Sequence, residues 1–282
     1  MTQFHGQLSF IQRHLTSVLH QGLISTIHRR LASAMQRQLT RALTIGFALI
    51  SATGSGHAQD RVEAGNFSKQ KPGGLPQDWK PLTFRNIDKH SVYSLVTEGG
   101  VTVLRAEANA SASGLTHDLS ALNLNIRDTP MLRWRWKITN LVKNADIATK
   151  EGDDYPARIY VTFKYDPERA GAGMRMQYGL AKSLYGEYPP HAGINYVWDG
   201  KAPVGTMVPN AYTARAMMFV VESGTKRVGE WVEVERNVYE DYKRAFREEP
   251  PPLLGIAVMT DTDQTGEAAT AWYGDISLHK RP

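Results

Sequence analysis

The 282-residue sequence contains no cysteine, which excludes a disulfide framework, thiolate zinc sites and a cysteine nucleophile. Its first 58 residues contain no lysine and no acid, only the arginines Arg13, Arg29, Arg30, Arg37 and Arg41. Of the 33 bases and 28 acids in the whole chain, 28 of each therefore fall in residues 59–282, and the formal charge of +5 belongs to the leader. The remainder has no global attraction for nucleic acid or an anionic membrane, and no nucleic-acid partner is expected. The common catalytic signatures are also missing. His90, His117, His191 and His279, the histidines beyond the leader, form neither HxH nor HExxH. There is no GxSxG elbow, no GxGxxG after a strand and no GKS or GKT loop. Serine-triad hydrolases, phosphate-loop kinases and dinucleotide oxidoreductases are poor fits.

What is present begins with the leader. Residues 42–50, ALTIGFALI, are a short apolar run behind Arg37 and Arg41, followed by small residues at Gly56 and Ala58. Basic flank, apolar core and small-x-small exit make a secretory signal peptide, too short to cross a bilayer, which takes roughly 20 apolar residues. The expected domains are an N-terminal extension with signal over residues 1–58, a linker over 59–76 and a single domain over 77–282. Counted from Met35 the signal has an ordinary length, which makes Met35 the expected true start. No membrane span is expected after cleavage, and the expected location is the periplasm or the exterior. Export is the firmest expectation the residues support.

Beyond residue 76 the period-2 pattern keeps returning. In MLRWRWKIT, Leu132, Trp134, Trp136 and Ile138 alternate with Arg133, Arg135 and Lys137. Such alternation predicts a strand with one face on the core and one in water. ARIYVTFK repeats it, with Ile159, Val161 and Phe163 opposite Arg158, Tyr160, Thr162 and Lys164. SVYSLVT, VTVLRAEA, AMMFVVES, WVEVERNV and ATAWYGDISL are further strand candidates, and LLGIAVMT, apolar on both faces, is expected in mid-sheet. Only Met174–Tyr185 and Tyr239–Phe246 read as helical. That is too few for alternating strands and helices, so an all-β fold with minor α is predicted: an antiparallel, jelly-roll-like β-sandwich with one or two short helices.

Three features suggest chemistry. DTDQTG at 261–266 places Asp261, Asp263 and Thr265 at alternate positions before Gly266, the opening half of a calcium loop. Trp272 stands where the closing glutamate would be, so Asp275, or an acid from elsewhere in the chain, is the candidate to complete the shell. The competing reading is a β-turn whose Asp side chains cap backbone N–H groups. Next, Asp153 and Asp154 precede the strand bearing Arg158 and Tyr160. They could act as acid and base in sugar cleavage, or form a turn with salt bridges. Finally, all six tryptophans lie beyond the leader. Trp134 and Trp136 share the apolar face and should pack in the core. Trp198, in NYVWDGKAPVG, is the candidate exposed platform for a ligand.

The succession WRWK, GDDYPARIYVTF, NYVW, ERNVYEDYKRAF, GIAVMTDTDQTG and AWYGDI resembles a bacterial family of exported proteins, the domain of unknown function 3047, over roughly residues 78–278. The resemblance implies one domain, a signal peptide and a Gram-negative envelope setting. It transfers no catalytic roles. RAFREEPP departs from the pattern in lacking a glycine after Phe246. The leading expectation is an exported module that binds a glycan or other envelope component, with Asp153, Asp154, Arg158, Tyr160 and Trp198 as candidate ligand contacts. The alternatives are an envelope polysaccharide hydrolase or lyase using the acidic loops, and a structural or assembly partner in the envelope.

Overall fold

The computed structural model describes residues 61–281 apart from 169, 186 and 187. The leader expected at 1–58, with its signal and the start at Met35, lies outside the described residues. The strands of the first half are β1 (Arg61–Gly65), β2 (Trp79–Leu82), β3 (Val92–Glu98), β4 (Val101–Asn109), β5 (Gly114–Asp118), β6 (Met131–Ile138) and β7 (Arg158–Phe163). Helix α1 (Ala172–Tyr185) leads to β8 (Ala192–Asp199), β9 (Met207–Asn210), β10 (Thr213–Ser223) and β11 (Val232–Asn237). Helix α2 (Val238–Phe246) precedes β12 (Leu253–Met259), β13 (Ala268–Tyr273) and β14 (Ile276–His279). Among the described residues no helix is long and apolar enough to cross a membrane.

Two seven-stranded sheets stack as a mostly antiparallel jelly-roll sandwich. The first runs β1-β14-β6-β13-β4-β3, with β11 also paired to β6; the second runs β2-β5-β12-β7-β8-β10-β9. One pair departs from the antiparallel expectation. β8 and β10 run parallel, because β9 lies between them in sequence but pairs on the outer edge of β10.

The alternation in β6 works as its sequence requires. Leu132, Trp134, Trp136 and Ile138 are buried between the sheets, whereas Arg133, Arg135 and Lys137 keep contact with solvent. The Trp134 ring lies 5.4 Å from Trp136 and 5.3 Å from Tyr196 of the second sheet. These aromatic contacts join the layers and bury large apolar surfaces. β12 sits in mid-sheet, between β5 and β7, as its doubly apolar pattern predicts.

The same alternation fails as a guide to exposure in β7. Ile159, Val161 and Phe163 face the core, but Arg158 and Tyr160, on the side expected in water, are also buried. A second apolar layer covers that face: Tyr160 packs with Leu82, Phe84, Ala112, Ala257 and Met259. Period-2 patterning states which residues share a face, and not what covers it.

The linker expected at 59–76 is part of the domain from Arg61 onward. β1 pairs with β14 there, and Phe67 is fully buried with its ring 5.5 Å from that of Trp79. At the end of α2 the missing glycine has a structural counterpart. Arg247 caps the helix in the left-handed conformation, at φ 58°, where a residue with a Cβ pays about 1 kcal/mol that glycine avoids.

Candidate functional site

β7 and β12 are antiparallel neighbours, with Arg158 opposite Met259. The loop before β7 and the loop after β12 therefore leave the sheet side by side. Asp154, Asp261 and Asp263 each place a carboxylate oxygen within 4.8 Å of the others, a group able to hold a metal ion. Arg158, buried among them, donates to Asp261 and, at 3.5 Å, to Asp153. Asn210 Nδ2 also donates to Asp153, at 3.3 Å. Asp154 accepts the backbone N–H groups of Gln264, at 3.3 Å, and Thr265, at 2.6 Å. Asp263 accepts from Gln264 Nε2 at 2.7 Å. The capping reading of the acidic turn is thus present, with the carboxylate supplied from the facing loop.

This cluster holds more acid than base. Burial pushes the carboxyls of Asp153 and Asp261 above the ordinary range, against the pull of the Arg158 guanidinium. Burial also raises Asp154, against the hydrogen bonds from Thr265. The cavity beside them, lined in part by Asp153, Arg158, Tyr160 and Asp261, has a volume of about 40 Å³. A water occupies about 30 Å³ of the liquid, and ligand pockets start at about 300 Å³. The cavity can admit water or one small ion, but no sugar ring.

The structure thus brings together six of the expected residues, Asp153, Asp154, Arg158, Tyr160, Asp261 and Asp263. Thr265 joins them only as a partner of Asp154. Two expectations are corrected. Trp198 is no exposed platform: it is fully buried, 6.2 Å from the Trp136 ring, and its Nε1–H donates to the carbonyl of Gly224 at 3.2 Å. Its place in β8 has the parity of Ile194 and Tyr196, which face the core. Asp275 is no fourth ligand of the acidic group. It accepts from the backbone N–H of Ser68 at 2.8 Å and from its hydroxyl, which fastens the segment after β1 to the first sheet.

A larger recess opens on the outer face of the first sheet. β14 pairs with Met131–Arg133 of β6 and β13 with Trp136–Ile138, while β11 takes the other edge. The sheet therefore forks at Gly274 and Asp275. The resulting groove has a volume of about 640 Å³ and is lined by the bases Arg61, Arg133 and Arg135 and the acids Glu233, Glu235 and Asp275, with Thr102 and His279 beside them. Beside it, Arg135 lies 4.7 Å over the Trp231 ring and Lys137 lies 4.4 Å over Trp272. Arg135, Trp231 and Trp272 escaped the sequence reading. Their outward parity was visible in RWRWK, WVEVE and ATAWY; that β6, β11 and β13 are neighbours was not.

Two stacked, mostly antiparallel sheets, the first carrying a fork-shaped groove, define a β-sandwich of jelly-roll type. Residues 77–277 match the family described as Protein of unknown function (DUF3047), and the chain belongs to that family. No curated protein matches the sequence. Among solved structures, the chain is similar to the family 30 carbohydrate-binding module of the cellulosomal cellulase Cel9D-Cel44B of Clostridium thermocellum. That match has 14% identity and a TM-score of 0.35, over 78% of this chain and 98% of the other. The carbohydrate recognition domain of Emp47p matches at 9% identity and a TM-score of 0.39, over 78% of this chain and 95% of the other. The CBM22-1 xylan-binding domain from Paenibacillus barcinonensis Xyn10C matches at 14% and 0.33, over 77% and 94%. Likenesses this distant carry nothing about what this chain binds.

The acidic cluster generates a pH prediction. A carboxyl whose pKa is raised on folding stabilises the fold below its unfolded pKa, about 3.9, and loses that contribution as pH rises through the folded value. Removing the ionisable group at Asp153 removes this loss. The melting temperature of Asp153→Asn relative to the parent should therefore increase as pH rises from about 3, below the unfolded pKa, to about 7. His279 titrates in the opposite sense, because burial lowers its pKa, but it is common to both proteins and cancels. A difference that is flat or shrinks with pH would show that Asp153 is not held above its ordinary range.

Proposed function

We propose that the chain is an exported, non-catalytic binding module whose ligand, a glycan or other component of the bacterial envelope, lies in the groove of the first sheet. The observation that carries this reading is the groove itself. Its volume of about 640 Å³ falls within the ordinary range of ligand sites, and hydroxyl, guanidinium, imidazole and carboxylate groups line it. A glycan is suited by such a lining because each sugar hydroxyl both donates and accepts hydrogen bonds. The leader supports export to the periplasm or beyond through its basic flank, short apolar core and Gly56–Ala58 exit. The hydrolase alternative loses its ground at the acidic cluster. Its carboxylates do converge, but the 40 Å³ beside them leaves no place for a scissile bond.

Isothermal titration against a panel of envelope polysaccharides should find at least one glycan that binds, with saturation at one site per chain. Silence across a broad panel of acidic and neutral polymers would remove the glycan reading.

The 4.8 Å group supports a second, separate role for the acidic cluster: a structural calcium site. Asp154, Asp261 and Asp263 form an all-oxygen donor set suited to a hard cation. The ion would hold the loops before β7 and after β12 together, and Asp263, whose one side-chain hydrogen bond among the described residues is to the Gln264 side chain, is the residue placed to turn toward it. Calcium that binds only the folded state raises the melting temperature by mass action, by about 2.7 kcal/mol of stability at 100 times Kd. The expected result is a rise in millimolar calcium that chelator reverses and Asp263→Asn abolishes. No shift would leave the cluster as an ion-paired turn around Arg158.

A further inference from the structure

We propose that the groove selects glycans with anionic substituents, carboxylate or phosphate, and that Arg135 is the residue that receives them. The inference rests on the binding role proposed for the groove and adds the chemistry of the ligand.

The cations around the groove are not equivalent. Arg61 is paired with Glu63 at 2.6 Å and Arg105 with Glu107 at 2.6 Å. Arg133 is paired with Glu235 and Lys137 with Glu98. Arg135 alone of this set has no carboxylate within 4.0 Å among the described residues, although Glu233 stands opposite it on β11. Something other than an ion pair fixes its side chain. Its stem lies on Gly274, where a Cβ would come within 2.5 Å of Arg135 Cγ and 2.7 Å of Nε. Its guanidinium lies 4.7 Å over the Trp231 ring.

A guanidinium stacked on an indole keeps its N–H donors in the plane, where they are free to meet a ligand. Holding it there before the ligand arrives reduces the entropy lost on binding. Its fork of donors matches the two oxygens of a carboxylate or phosphate in a bidentate contact, stronger than a hydrogen bond to a neutral hydroxyl. Thr102, in the same groove, is placed for a neutral hydroxyl of the sugar. Gly274 thus has a role at the fork beyond letting the strand turn: it makes room for the arginine that faces the ligand.

The experiment is titration of the full chain with three polymers of matched length: a polyuronate, a phosphorylated mannan and a neutral glucan. The proposal expects a charged polymer to bind more tightly than the glucan, and the charged arm that wins identifies carboxylate or phosphate as the source. Arg135→Gln should weaken that binding at least tenfold and Arg135→Lys should recover only part of it, with the melting temperature of each variant measured alongside. Gly274→Ala keeps the charge but pushes the Arg135 side chain off its seat, and should also weaken binding. Equal binding of glucan and charged polymer, unchanged in Arg135→Gln, would overturn the proposal and leave the glycan reading standing. Binding of polyanions that salt abolishes but Arg135→Gln and Gly274→Ala leave intact would overturn it as a general ionic attraction. Absence of binding by all three polymers would overturn the proposal, and the binding role of the groove then stands or falls with the broader panel.

Discussion

The pleat of β6 divides its side chains between two tasks, and the rest of the structure depends on that division. Trp134 and Trp136 point into the sandwich, where they meet each other and Tyr196 and Trp198 from the opposite sheet. Burying aromatic groups of this size, at about 25 cal/mol per Å² of apolar surface, supplies much of the attraction between the layers. Arg133, Arg135 and Lys137 point the other way by the same geometry, into the face that holds the groove. A one-residue slip in register would exchange the two sets and bring charge into the core. Core and candidate binding face are therefore specified together, by one eight-residue strand.

The acidic cluster follows from a different pairing. β7 and β12 place two loops beside each other, and each contributes carboxylates that solvent can no longer reach freely. Arg158 offsets part of that charge from within the sheet, and backbone N–H groups of the facing loop offset more. The arrangement is compact and largely satisfied internally, which suits a fastening between loops. The groove has the reverse character: it is open and roomy, and among its arginines Arg135 has no carboxylate partner among the described residues. Size separates the two sites more sharply than composition does, since both are rich in charge.

Much of the sandwich was legible in the sequence. The strict alternation of MLRWRWKIT, the doubly apolar LLGIAVMT and the two short helical stretches each correspond to an observed element with close boundaries. Long-range consequences were not legible. Arg158 and Tyr160 have a polar strand's parity, yet Phe84 and its neighbours, more than seventy residues earlier, cover them. Trp198 looked like a strand-to-loop junction because Asp199 and Gly200 follow it at once, although Ile194, Tyr196 and Trp198 alternate with Asn195 and Asp199 and so share one face of β8. Asp275 looked like a companion of Asp261 and Asp263, but the bend at Gly274 turns it toward Ser68. Arg135 and Trp231 carried the right parity; only the sheet order, which periodicity does not encode, brings them together.

The absence of cysteine makes the central claim directly measurable. Single thiols introduced as Leu132→Cys, Arg133→Cys, Arg135→Cys, Lys137→Cys and Ile138→Cys can each be timed against a maleimide under native conditions. The account predicts rapid reaction at 133, 135 and 137 and protection at 132 and 138 until the protein unfolds. Equal rates along the strand, or protection of the three basic positions, would contradict it.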